Sequence, residues 1–296
     1  MNSESKDATV NLLLLVLFVL LATFGFFALI SLTFLSHDGL NAALSKGLDT
    51  KALFEKLSGK ELNILQSLSQ IIGLIIPAFL LTKYKKSVSS YIEQKPFYLK
   101  FAMLAFALFI CAYPSVSFLT YINQQIPLPD WMISKESEMT DMIKQLLTMN
   151  SFIDLSICMI SIALIPAIAE EWIFRGILQN QLIRFFKNKW LGMILTAFIF
   201  SAIHLQFEGF LPRFALGLIL GYVYLLGGSL KYSILLHFFF NGIQVFAVYL
   251  NGSNLEQTDL SSTIQTPSFY LFLSASIVGM FYFISMMLKF QNSKNV

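Results

Sequence analysis

The chain has 296 residues, of which 56% are hydrophobic and only 12% charged. A water-soluble domain carries about twice that charge, and a disordered chain would be charge-rich and apolar-poor, so both classes are excluded. The net charge of +3 is too small to argue for nucleic acid as a partner. What remains is an all-α, polytopic membrane protein with membrane lipids around it.

A hydrocarbon core about 30 Å thick needs roughly 20 apolar helical residues to cross it. Eight stretches approach that length: 10–35, 62–82, 99–121, 152–174, 190–206, 213–228, 232–250 and 268–288. The first is too long for a signal-peptide core of about 7–15 residues and lacks a small-residue cleavage site, so it reads as a retained helix. Residues 36–61 are polar and suit an amphipathic helix across Leu53, Leu57 and Leu62. Residues 122–150 open on the turn-forming run Ile126-Pro127-Leu128-Pro129-Asp130. They continue with Met139, Met142, Ile143, Leu146 and Leu147 at helical spacing, which fits a helix resting on the membrane surface or, alternatively, a gate.

Lysine and arginine in loops orient such a bundle. With the N-terminus inside, twelve of the twenty fall on the inner side and seven on the outer, while Arg175 sits near the end of a span. The expectation is a cell (inner) membrane protein with both termini inside; Arg213 counts among the outer charges. Cys111 and Cys158 lie in apolar runs without metal-type spacing. The absence of an internal repeat argues against the inverted-repeat transporter plan. Gly217 and Gly221 form a GxxxG that suits close helix packing. Residues 177–186 look like an amphipathic continuation of the fourth span, with a lateral entrance near Gln179 as a guess.

Ionisable groups inside a span are costly and usually face the protein interior. The fourth span carries Glu170, Glu171 and Arg175; His204 closes the fifth; His237 and Asn241 lie within the seventh. The remaining histidine, His37, is in the first polar loop. Glu171 and Arg175 are four apart and can pair on one helix face. Glu170 is rotated by about 100° from Glu171, so it can point into the bundle instead. A carboxylate withdrawn from water suits general-base work, a histidine can relay the proton, and an asparagine amide can donate to an oxyanion. Two histidines and a glutamate can also hold a divalent metal such as zinc that activates water. From spacing alone, a hydrolytic site, an ion or proton pathway and a structural polar network all stay open.

Three motifs narrow the choice. Glu170-Glu171-Trp172-Ile173-Phe174-Arg175 reads EExxxR, Phe200 to His204 reads FxxxH, and His237 to Asn241 reads HxxxN. Together and in this order they resemble the CPBP (Abi) family of intramembrane proteases, which includes the type II CAAX prenyl proteases. The likeness covers a core at 151–250, leaving 1–150 as variable N-terminal helices and loops and 251–296 as a C-terminal loop and last helix. It implies a membrane-embedded endopeptidase acting on a membrane protein or peptide, with Glu170 activating water helped by His204. It further implies that His237 and Asn241 stabilise the oxyanion and that Glu171 and Arg175 support the site. A non-catalytic scaffold or immunity protein with the same fold is the alternative. Metal dependence is left open, with Glu170, His204 and His237 as candidate ligands.

One tension follows from the span limits. They put Glu170 near the inner end of its helix and His204 about 21 Å from the inner side, so straight, upright helices could not close the site.

Overall fold

The computed structural model describes residues 3–34, 57–92, 94–252, 264 and 266–294. Among the described residues, nine helices longer than one turn carry the fold: α1 (Ser3–Phe34), α2 (Gly59–Tyr84), α3 (Leu99–Gln124), α4 (Asp130–Leu146), α5 (Phe152–Phe186), α6 (Lys189–Ala202), α7 (Phe210–Gly227), α8 (Leu230–Asn251) and α9 (Pro267–Asn292). No strand occurs among the described residues. The expected amphipathic helix over 36–61 falls mostly outside them, as does His37.

Seven of these helices, all but α4 and α6, are long and apolar enough to cross a membrane. The fifth expected span, 190–206, is corrected: α6 has 14 residues, about 21 Å of helix, and stops at Ala202. The fourth is corrected in the other direction. Its helix does not end near residue 174 but runs on through the amphipathic stretch to Phe186. It then reverses at Lys187, which is left-handed with φ 54°, and Asn188 caps α6 by accepting from the Trp190 and Leu191 N–H groups.

Two apolar cores flank the motif-bearing helices. Leu15, Leu81, Ile173, Ile177 and Phe200 join α1, α2, α5 and α6. Phe101, Leu108, Leu220, Tyr232, Leu236 and Met287 join α3, α7, α8 and α9. The GxxxG of α7 sits against α5 and α6. A Cβ on Gly217 would lie 3.0 Å from the Ala197 Cβ, and one on Gly221 would lie 2.8 Å from Gln179 Oε1. Gln179 is fully buried and donates to the Gly221 carbonyl. The guessed entrance at Gln179 is thereby ruled out, because that face of α5 is occupied by α7.

The bundle has two distinct ends. Arg184 donates to the Ser87 carbonyl, Lys95 N–H to the Gly228 carbonyl, and the Ser5 hydroxyl to the Phe185 carbonyl, which gathers the lysine-rich segments at one end. At the other end, Asn63 donates to the Leu146 carbonyl, Gln145 to the Leu57 carbonyl, and Asn123 to the Phe207 carbonyl.

Candidate active site

α5 is not a uniform α-helix. It widens to π-helical turns at Met159–Leu164 and again at Trp172–Gln179, leaving Ile165–Glu171 as ordinary α-helix between them. Such widened turns disturb side-chain register and are frequent at functional sites. Pro166 explains part of the first one: it has no N–H to give to the Ile162 carbonyl four residues back. Asn241 of α8 supplies the missing donor, from Nδ2 to the Ile162 oxygen at 3.1 Å.

The adjacent glutamates face different surroundings. Glu171 is fully buried, and its Oε1 accepts from Arg175 Nη1 and, at 2.9 Å, from His237 Nδ1. Arg175, also fully buried, donates Nη2 to the Gly217 carbonyl and stacks its guanidinium 4.6 Å from the centre of the Phe200 ring. Glu170 instead lines a cavity of about 370 Å³, together with His204, His237 and Asn241. Its Oε2 lies 3.9 Å from His237 Nε2. The structure therefore brings Glu170, His204, His237 and Asn241 to one space and puts Glu171 and Arg175 directly behind it. Phe200 is more than packing: its ring contacts the His204 and His237 rings edge-on as well as Arg175.

The depth tension dissolves once the real helix limits are used. Glu170 lies about 24 Å back from Phe186, and His204 about 22 Å on from Lys189, so the α5–α6 hairpin brings them level. The α7–α8 turn is sunk into the bundle: a Cβ on Gly176 would meet the Leu230 side chain at 3.3 Å. His237 rises about 10 Å from Leu230, matching the roughly 9 Å from Gly176 to Glu170.

His204 does not close a span. It lies in the turn after α6, its Nδ1 is 2.7 Å from the Phe200 carbonyl, and the next residue, Leu205, is left-handed at φ 53°. A non-glycine residue in that region is strained, and such strain gathers at functional sites. Three contacts hold the turn. Glu136 Oε2 accepts from the Phe207 N–H at 2.7 Å, Asn123 Oδ1 accepts from the Leu211 N–H at 2.8 Å, and Ser201 Oγ donates to the Phe210 carbonyl at 2.7 Å.

Hydrogen-bond roles follow from the partners. A backbone carbonyl and an ionised carboxylate only accept, so His204 and His237 both donate from Nδ1. In the neutral ring each then presents a lone pair on Nε2. His237 can thus donate to an oxyanion only when it carries a second proton, whereas Asn241 retains a free amide N–H after serving Ile162.

Several lining residues were missed from the sequence: Gln66 and Gln70 of α2, Gln206, Gln244 of α8, and Arg213. Gln66 and Gln70 are four apart on one face of an apolar span, a signal passed over because amides do not titrate. Arg213, counted as an outer-loop charge, is instead in the first turn of α7 and lines the cavity. α4 has no buried residue, yet it does not stand apart from the site. Ile143, Leu146 and the following Leu147 help line the same cavity.

Glu170, His204 and His237 are the candidate metal ligands. Among the described residues no three His, Cys, Asp or Glu side chains gather in a way that could hold a metal ion.

Residues 152–243 match the family model for the type II CAAX prenyl endopeptidases, Rce1-like. The motif-bearing segment is thus similar to the Rce1-like family, and all three motifs fall inside the match. An uncharacterised 24.3 kDa protein of Escherichia coli is 32% identical over 88 residues. That alignment covers 28% of this chain and 41% of the relative, so the chain spans about two fifths of that relative's length. No solved structure matches.

Proposed function

We propose that the protein is a glutamate-dependent endopeptidase embedded in the membrane, hydrolysing peptide bonds of membrane-associated or lipidated substrates. The observation that carries this is the shared cavity, with Glu170 Oε2 and His237 Nε2 as two acceptors 3.9 Å apart. A single water can give one proton to each of two such acceptors, which turns its lone pair toward the cavity. Glu170 takes the proton as the water oxygen attacks the peptide carbonyl carbon. The developing oxyanion is met by the free Asn241 amide N–H, while His237 Nε2 goes on accepting from the hydroxyl proton that the attacking water keeps. Glu170, with His204 relaying, then returns the proton to the leaving nitrogen as the C–N bond breaks.

The lysine-rich end is assigned to the inside of a cell membrane. The cavity runs from Glu170 toward α4 and the 203–209 turn at the opposite end, so substrate approaches from the outer side.

The test compares membrane-protein termini in cells carrying the wild type or Glu170→Gln at matched expression. New termini that require Glu170 support the reading. Identical termini, with a wild-type phenotype that the variant also gives, support a non-catalytic scaffold instead.

A further inference from the structure

Two arginines approach the site from behind and from above, and they are used differently. Arg175 is neutralised by Glu171 and closed off from the cavity. Arg213 lines the cavity, and its guanidinium is held only by neutral oxygens, Gln206 Oε1 and the Gln206 carbonyl. No carboxylate of the described residues lies within 4 Å of it, while Glu170 is the only carboxylate lining the same space. A guanidinium has five N–H donors in a fixed fork, and two contacts leave room for a bidentate partner.

The placement is built. The turn that carries His204 is pinned by Glu136, Asn123 and Ser201, and Gln206 within it grips Arg213. Arg213 also lines a neighbouring, largely apolar cavity of about 730 Å³, bounded by Tyr113, Pro114, Phe269 and Phe272. It therefore stands where an apolar stretch of chain would pass toward Glu170. Glu136 and Glu170 act on its charge only from a distance, without a direct ion pair, so a partly desolvated cation keeps room for a carboxylate in contact with it.

We propose that Arg213 is a specificity-determining residue that binds a carboxylate of the substrate, beside an apolar segment. This rests on the endopeptidase reading for its purpose but not for its detection. The carboxylate has two possible sources, the substrate's own C-terminus or an acidic side chain near the cut.

Binding is measured on the full chain in lipid nanodiscs, in the Glu170→Gln background so that nothing is cleaved. The probes are three fluorescent leucine–alanine hexapeptides: one with a free C-terminal carboxylate, its C-terminal amide, and the amide with an aspartate before the last residue. We expect one or both acids to bind roughly 10- to 100-fold more tightly than the plain amide, as for a hydrogen bond to a charged group. Which acid gains identifies the source. Adding Arg213→Gln removes the preference and Arg213→Lys restores part of it, with unchanged melting temperature showing that the fold is intact. Equal binding of acids and amide, or an acid preference that survives Arg213→Gln, overturns the proposal. Failure of the endopeptidase reading shows separately, as membrane-protein termini that are the same with the wild type and with Glu170→Gln.

Discussion

Glu170 and Glu171 are neighbours in the chain, yet they belong to two regions governed by different physics. Behind the site, Glu171, Arg175, His237 Nδ1 and the Gly217 carbonyl form a closed cluster in which the two ions pair with each other, while Glu171 Oε2 and Arg175 Nε are buried without a hydrogen-bond partner. In front of it, Glu170, the two Nε2 atoms, Asn241 and Arg213 face an open cavity with bonding capacity left over. The closed region orients; the open region reacts. The rotation of about 100° between consecutive residues is what lets one dipeptide serve both.

The largest effect separates the two on activity. Glu170→Gln keeps size and hydrogen bonding but removes the base, and cleavage is expected to fall about 10³-fold with little change in melting temperature. Quantifying products by mass spectrometry checks this. A comparable loss of stability would place Glu170 in the closed cluster instead.

Glu171→Ala acts on the other region. It leaves Arg175 buried without a counter-ion, which costs about 3–5 kcal/mol, read by thermal unfolding in detergent. The double change Glu171→Leu with Arg175→Met is expected to recover most of that stability while leaving His237 without its anchor and the protein inactive. Recovery of activity along with stability would show that His237 needs no orienting carboxylate.

Gly217→Ala tests the wall shared by the two regions. The new methyl would lie 3.0 Å from the Ala197 Cβ and 3.1 Å from its Cα, so backbone must move. Overpacking of this kind costs about 1–3 kcal/mol, and the shift of the Gly217 carbonyl would loosen Arg175 as well. Unfolding and cleavage are both expected to suffer, the first more.

The closed cluster was half legible. Spacing of four within one helix revealed the Glu171–Arg175 pair, but spacing says nothing of a third partner from another helix, so His237 Nδ1 was missed. All-α topology, the motif helices and the GxxxG face followed from hydropathy and composition. Helix ends did not, because hydropathy falls at Phe174 while the α5 backbone continues on packing from α1 and α6. That boundary, together with the overlong fifth span, produced the depth tension. Arg213 was misread for the same reason: a charge at a supposed span edge was counted as belonging to water. Pro166 was visible throughout as a break in the ladder, but only the Asn241 contact gives it meaning.

The smallest effect concerns the cover over the open region. α4 is fastened at both ends, by Glu136 accepting from the Phe207 N–H and Trp131 packing edge-on to Phe207, and by Gln145 and Asn63 at the α2 side. Glu136→Gln keeps an acceptor but loses the charge, weakening the first fastening by about 1 kcal/mol. If α4 opens from that end, a cysteine placed at Gln66, in a background lacking Cys111 and Cys158, should react with a maleimide about 5-fold faster, at unchanged melting temperature. An unchanged rate would mean that α4 pivots from the Asn63 end, and Asn63→Ala should then give the acceleration instead. Only an acceleration by Glu136→Gln would show that the carboxylate at 136 sets the position of the turn that carries His204, which would link access to the open region with the geometry of its base.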